Sequence, residues 1–289
     1  MNQIVVVLIV SIVSPTISLS QADSANIPQE KNIHTTRLAL VVGGAAGIIV
    51  VSHLQNYNSW WKGTLGPFHT STGIDDGYSL GADKLGHFLF TYYAADAMGN
   101  SLVWSGLDSS KSFFYGSLAA FVFQMYVEIE DGFHPELGFS FGDAYADFLG
   151  ASLPLLRLQP KYTSFFKAIS PKWSASPSQR YKNHYFRSII DDYESQYYWL
   201  SFNIRELWGE SSPTFIPSFL NIALGYGVTN LDLKGSGERE FYLSLDCDWN
   251  KLPGKGDFLS ALKHALNYFH FPAPTIRLAP SVIMYGIRF

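Results

Sequence analysis

Three successive apolar segments of this chain each carry ionisable residues one helical turn apart, and this combination constrains the fold more than any other feature. Asp83, Lys84 and His87 stand in the first as D-K-x-x-H-F, with Asp83 and His87 at i and i+4 and so on one helix face. Glu128 and Asp131 stand at i and i+3 near the end of the second, in E-x-E-D-G. Asp143 and Asp147 repeat the i and i+4 spacing at the start of the third. Charge in a poorly hydrated bundle is costly unless it is paired or functional. Short connections make neighbouring helices antiparallel. His87 near one start, Glu128 and Asp131 near the next end and Asp143 at the following start then meet at one end of the bundle.

Three chemistries suit such a cluster. The first is an inter-helix network in which Lys84 and His87 balance the carboxylates and fix helix register. The second is a divalent metal site with Asp83, His87, Glu128, Asp143 and Asp147 as ligands, since one imidazole with several carboxylates suits a hard or borderline cation. The third is metal-free acid–base chemistry with His87 poised by a carboxylate, Glu128 and Asp131 being the catalytic candidates beside it. A divalent metal ion is thus the cofactor to consider. There is no Gly-x-Ser-x-Gly, P-loop or Cys–His arrangement, so ordinary nucleophilic and nucleotide chemistries have no support.

The spacing predicts helices over Leu38–Leu54, Ala82–Leu107, Ser110–Glu130 and Phe141–Leu158, with Asp108 and Ser140 as N-caps. The first is at the lower limit for a membrane span, and its Gly43-x-x-x-Gly47 spacing permits close helix contact. Upstream, residues 4–13 are an unbroken apolar run followed by small residues, which reads as a signal peptide over 1–20 with a polar linker at 21–36. No cysteine lies near the cut, because the single cysteine is Cys247; this excludes a lipid-modified N-terminus, an internal disulfide and a Cys-rich zinc site. Residues 55–80 are rich in aromatics, and the Trp60–Trp61 pair suits a membrane–water interface, a loop that binds lipid or a partner, or a loop packed by aromatics on a soluble domain.

Prolines and lysines rise over 159–185, which reads as a second linker. Beyond it, Tyr193–Leu207 reads as a short amphipathic helix, Leu220–Val228 and Glu238–Trp249 as strands, Leu259–Phe269 as a helix and Thr275–Phe289 as extended chain. In the second strand Phe241, Leu243, Leu245 and Cys247 share one face, and Tyr242, Ser244, Asp246 and Asp248 the other. A terminal aromatic on a last strand also occurs in outer-membrane barrels, but about three strands fall well short of the eight or more that a closed membrane barrel needs. The expected fold is therefore mainly α: a membrane-associated bundle of about four helices over 37–158, followed by a small mixed α/β segment over 186–289.

The run Asp83–Phe88, then Glu128 to Asp131, then F-S-x-x-D-x-x-x-D-x-x-G at Phe139–Gly150 resembles the YfiM-like family of predicted periplasmic lipoproteins of unknown function. It is also distantly similar to VanZ-like membrane proteins, although Asp147 stands where those chains more often carry Asn. The resemblance covers about residues 80–155 and implies an envelope protein without supplying a reaction. With 15% charged residues, a net charge of −4 and no basic stripe, nucleic acid is excluded as a partner. Membrane lipid and an envelope protein are the partners to consider. The expectation is an exported envelope protein, membrane-associated on the periplasmic side, with a structural or accessory role. The alternative is a metal-dependent hydrolase acting on an envelope lipid or glycan precursor.

Overall fold

A computed structural model describes residues 32–71, 77–161, 163–186, 189–209, 215–232 and 234–288. The expected signal peptide and most of the linker after it lie outside the described residues. The N-terminal part is helical: α1 (Thr35–Ser59), α2 (Ala82–Trp104), α3 (Ser109–Gly132) and α4 (Phe141–Leu156). The rest alternates: α5 (Thr163–Ala168), β1 (Ile169–Ala175), α6 (Gln179–Lys182), β2 (Gln196–Asn203), α7 (Ile204–Trp208), β3 (Leu220–Thr229), β4 (Glu238–Cys247), α8 (Asp257–Leu266), β5 (Ala273–Ala279) and β6 (Ile283–Arg288). The six strands form one antiparallel sheet in the order β1-β2-β3-β4-β5-β6.

This overturns the mainly α expectation, because the protein is mixed α/β with a large sheet. Two strands escaped detection for physical reasons. In β2, both faces are buried over Gln196–Trp199, so the period-2 alternation that marks a half-buried strand is missing. A short apolar run of that kind fits a helix equally well. The β1 strand lies inside the stretch expected as a linker and contains Pro171. Proline is tolerated at a sheet edge, where its missing N–H leaves no ladder bond unmade, and β1 is an edge strand.

Helices α2, α3 and α4 pack against one another, and their small residues set the distance. A Cβ on Gly150 would lie 2.2 Å from the carbonyl oxygen of Phe88 in α2. A Cβ on Gly116 would lie 2.6 Å from the backbone nitrogen of Gly99. The caps follow the sequence: the Asp108 side chain accepts from the Ser110 and Lys111 amides, and Ser140 accepts from the Asp143 amide. Helix α1 is different. It leaves most of its apolar surface open, burying only Val41 and Asn56, and Cβ atoms on Gly43, Gly44 and Gly47 would meet nothing within 4 Å. Among the described residues, nothing makes the close contact that these glycines permit. Helix α1 is long and apolar enough to cross a membrane. Helix α3 is also long and apolar enough to do so; it packs against α2 and α4 on one side, while Phe114, Leu118 and Val122 are exposed on the other.

Helix α2 is also the bridge to the C-terminal part. Leu89, Tyr92 and Tyr93 share a core with Trp173, Tyr198, Val228 and Tyr268. Further along α2, Asp96 accepts from the Tyr268 hydroxyl at 2.8 Å and lies 2.6 Å from His264 Nε2, while Arg157 donates to the Tyr92 hydroxyl at 2.6 Å.

The close approach at Gly150 makes a test. Gly150→Ala should lower stability by about 1–3 kcal/mol, the cost of overpacking against a neighbour that is backbone and cannot swing aside. Gly43→Ala, facing open space, should not destabilise. Denaturant unfolding of both variants beside the parent checks this, and a Gly150→Ala protein as stable as its parent would mean that α2 and α4 are not this close.

Candidate functional site

The ionisable residues of the three apolar helices do meet at one end of the helical unit. Four carboxylates surround His87. Its Nδ1 lies 3.3 Å from Asp147 and 3.7 Å from Glu128; its Nε2 lies 3.9 Å from Asp83 and 3.9 Å from Asp143. Lys84, one turn earlier on α2, lies 2.8 Å from Asp143 and 3.2 Å from Asp83. The start of α4 makes room for the lysine: a Cβ on Gly142 would fall 2.8 Å from Lys84 Cε.

Donors from every side hold the carboxylates. Thr91, one turn beyond His87, donates to Asp147 at 2.6 Å, and Gln124, one turn before Glu128, donates to the same oxygen at 3.1 Å. The Ser140 amide donates to Glu128 at 3.1 Å. Tyr193, from the C-terminal part, donates to Asp83 at 2.7 Å. Thr91 and Gln124 escaped the sequence reading, yet each sits four residues from a candidate on the same helix face, and that spacing could have flagged them. Tyr193 is separated from Asp83 by 110 residues and has no comparable signal.

Two sets of three groups bring ligand atoms within 4.8 Å of one another: Asp83, His87 and Asp143, and His87, Glu128 and Asp147. The five expected metal ligands all fall in these sets, with His87 shared. Asp131 falls in neither. Its carboxylate accepts from the Trp61 indole at 2.5 Å, and Trp61 stacks on His134 at a centroid distance of 6.2 Å. Trp61 is only 2% exposed, whereas Trp60 is 39% exposed, so the pair does not form a joint interfacial patch. The carboxylates are buried; His87 and Lys84 keep about a fifth of their side chains open, at 22% and 21%, and form the mouth of the cluster.

Burial and charge act against each other here. Burial alone would lower the His87 pKa, but the Asp147 hydrogen bond and the charges of Asp143, Asp83 and Asp147 hold it well above the ordinary imidazole range. Burial pushes Glu128 up to about 8, against the opposing pull of His87 and with help from Asp143. It likewise raises Asp131 to about 6, opposed by the Trp61 hydrogen bond and His87, and Asp143 to about 6, opposed by His87. For Asp83 burial also raises the pKa, but His87, Lys84 and Tyr193 outweigh it and leave it lowered. The cluster thus holds more carboxylate than its two cationic side chains neutralise, which favours the protonated form of Glu128, the carboxyl that burial shifts furthest.

Residues 73–159 match the model of a family described as "Predicted periplasmic lipoprotein (DUF2279)". The match contains every residue of the cluster that comes from α2, α3 and α4. The protein belongs to the cell envelope, membrane-associated on its periplasmic side. No curated protein and no solved structure matches the chain. The expected similarity to VanZ-like proteins has no counterpart in these findings.

The raised pKa values fix a pH dependence. A group whose folded-state pKa exceeds its unfolded value binds more protons when folded, so stability falls as pH rises between the two values. For Asp131 and Asp143 that window is about 4 to 6, for Glu128 about 4.5 to 8, and for His87 it lies above 6.5. Chelator-treated protein should therefore lose Tm steadily from pH 5 to pH 8. Glu128→Gln should flatten the upper part of that slope. A Tm independent of pH over this range would show that the carboxyls are not held protonated.

Proposed function

We propose that the His87 cluster is a divalent-cation centre and that the protein is a metal-dependent hydrolase acting on an envelope lipid or glycan precursor. One observation carries the reading: two three-ligand sets of buried carboxylates share the part-open His87 and hold more carboxylate than Lys84 and His87 can neutralise. A divalent cation among these oxygens would favour the ionised form of Glu128, whose pKa burial pushes up to about 8. Asp83, Glu128, Asp143 and Asp147 supply the oxygen ligands that suit such a cation, and Thr91, Gln124, Ser140 and Tyr193 orient them, as outer groups around a metal site do. The cation would supply charge stabilisation to a polarised ester. His87 at the mouth is placed to serve as ligand or base, and Lys84 to meet a developing negative charge.

A second reading has its own support. Asp147 already receives hydrogen bonds from Thr91 and Gln124, and Asp143 is ion-paired with Lys84, so the cluster also works as an inter-helix lock with a structural or accessory role. The two readings part on metal.

Elemental analysis of detergent-purified protein after dialysis, with titration by Mg²⁺, Mn²⁺, Zn²⁺ and Ca²⁺, decides between them. A centre predicts stoichiometric binding of one of these ions, a Tm raised at pH 8, and affinity reduced by about 10-fold or more in Glu128→Gln and Asp147→Asn, since even outer-sphere changes cost this much. Parent protein that binds none of these ions while the variants only lose stability would leave the lock and sink the hydrolase.

A further inference from the structure

The sheet is built inside out for a protein surrounded by water. Along β4, Glu240, Tyr242, Ser244 and Asp246 are buried, and Phe241, Leu243 and Leu245 are exposed. The same alternation runs through the middle of β3, where Asn221, Ala223 and Gly225 are covered and Ile222 and Leu224 are open. In the expected alternation the residues were sorted correctly into two faces, but the polar face is the buried one.

The buried face is closed by curling. Lys172 of β1 reaches Asp246 of β4 at 2.7 Å, and Arg288 of β6 donates to the Tyr197 hydroxyl of β2 at 3.0 Å. Both contacts bridge strands that are not neighbours, so the face they lie on is concave. His270 stacks on Trp199 at 3.9 Å inside it, and Arg277 donates to Glu240 at 2.6 Å. The rings of Trp199 and Tyr197 lie over Gly225 and Gly227, where a Cβ would come within 2.4 and 2.8 Å of them. The backbone segment at Tyr268–His270 bonds to the free edge of β1 through Trp173.

The opposite face is convex and apolar. Leu200, Leu224, Leu243, Ile276 and Met284 stand in register across β2 to β6. At one end this face is covered by the start of α2, where the Tyr226 hydroxyl bonds to the Leu80 carbonyl; beyond it the face is open. Leu224 is 49% exposed and Leu243 36%.

We infer that this convex face lies against the acyl chains of the membrane with which the protein is associated. Paired charges inside and a leucine row outside are the polarity that hydrocarbon surroundings impose on a sheet, since apolar area of this extent is not left open to water. A convex face buries little against a second convex copy, whereas fluid acyl chains conform to it. The protein is membrane-associated, so acyl chains are within its reach. Among the described residues the sheet has six strands, fewer than the roughly eight of the smallest membrane barrels, so the inferred contact with lipid is through one face of an open sheet.

Spin labelling tests this surface apart from any contribution of α1. In a Cys247→Ser background, Leu224→Cys, Leu243→Cys and, as an aqueous control, Lys255→Cys are labelled singly with a nitroxide and reconstituted into vesicles of phosphatidylethanolamine and phosphatidylglycerol. Acyl-chain contact predicts that labels at 224 and 243 relax readily with O₂ and are shielded from a water-soluble nickel chelate, with the reverse at 255. Nickel access at 224 and 243 comparable with that at 255 would place the face in water and overturn the inference. Shielding from both reagents would mean that protein covers it, a second copy or another partner, and would overturn it equally. Each exposed position is substituted separately, so loss of one variant leaves the other as the test.

Discussion

Asp147 is the carboxylate on which the helical unit turns. Its side chain is fully buried on α4, and it is met from α2 by His87 and Thr91 and from α3 by Gln124. Three helices therefore share one charge, and none can slide by a residue without leaving it unpaired. Removing one partner of a buried ion pair typically costs about 3–5 kcal/mol, so such a carboxylate strongly restricts the register of its neighbours. The glycines act with it. Gly150 and Gly116 let the backbones approach closely enough for short side chains such as Thr91 to span the gap. Packing distance and charge satisfaction in this unit are one constraint.

The same tension appears in the sheet with the opposite geometry. In the helices, carboxylates converge and the compensating cations sit at the mouth. In the sheet, Asp246 is met by Lys172 and His270, and Glu240 by Arg277 and Arg288, so each carboxylate has cationic partners enough to balance it. The balanced interior has little need of a ligand, whereas the unbalanced cluster is discharged only by protons or by an added cation. That contrast is why the functional reading rests on the cluster and not on the equally buried Lys172–Asp246 pair.

Legibility in the sequence followed the range of the interactions. The four long helices, the caps at Asp108 and Ser140 and the meeting of Asp83, His87, Glu128, Asp143 and Asp147 were readable because each depends on periodicity within one helix or on short connections between neighbours. The sheet was not. Its β1 strand carries a proline, and β2 buries both faces where tyrosines and a tryptophan crowd together, so neither shows alternation. The two faces of β4 were sorted correctly, but which of them is buried depends on what β1 and β6 do around it. Trp61 illustrates the same limit: an aromatic pair suggested an interface, yet one ring is pinned to Asp131 and the other left outside.

The C-terminal part is not an appendage to the site. Tyr193 donates to Asp83 and is itself bonded to Tyr78, while the Tyr198 hydroxyl would lie 3.2 Å from a Cβ on Gly86, one residue before His87. The first two turns of α2, which present Asp83, Lys84 and His87, are thus held by the segment leading into β2 and by β2 itself. Further along, Asp96 ties α2 to α8 through His264 and Tyr268. A sheet seated against acyl chains would hold α2 in a fixed attitude to the membrane through these contacts, and with it the mouth formed by Lys84 and His87. On the proposed reading, where the sheet rests would therefore set where the cluster can meet a substrate.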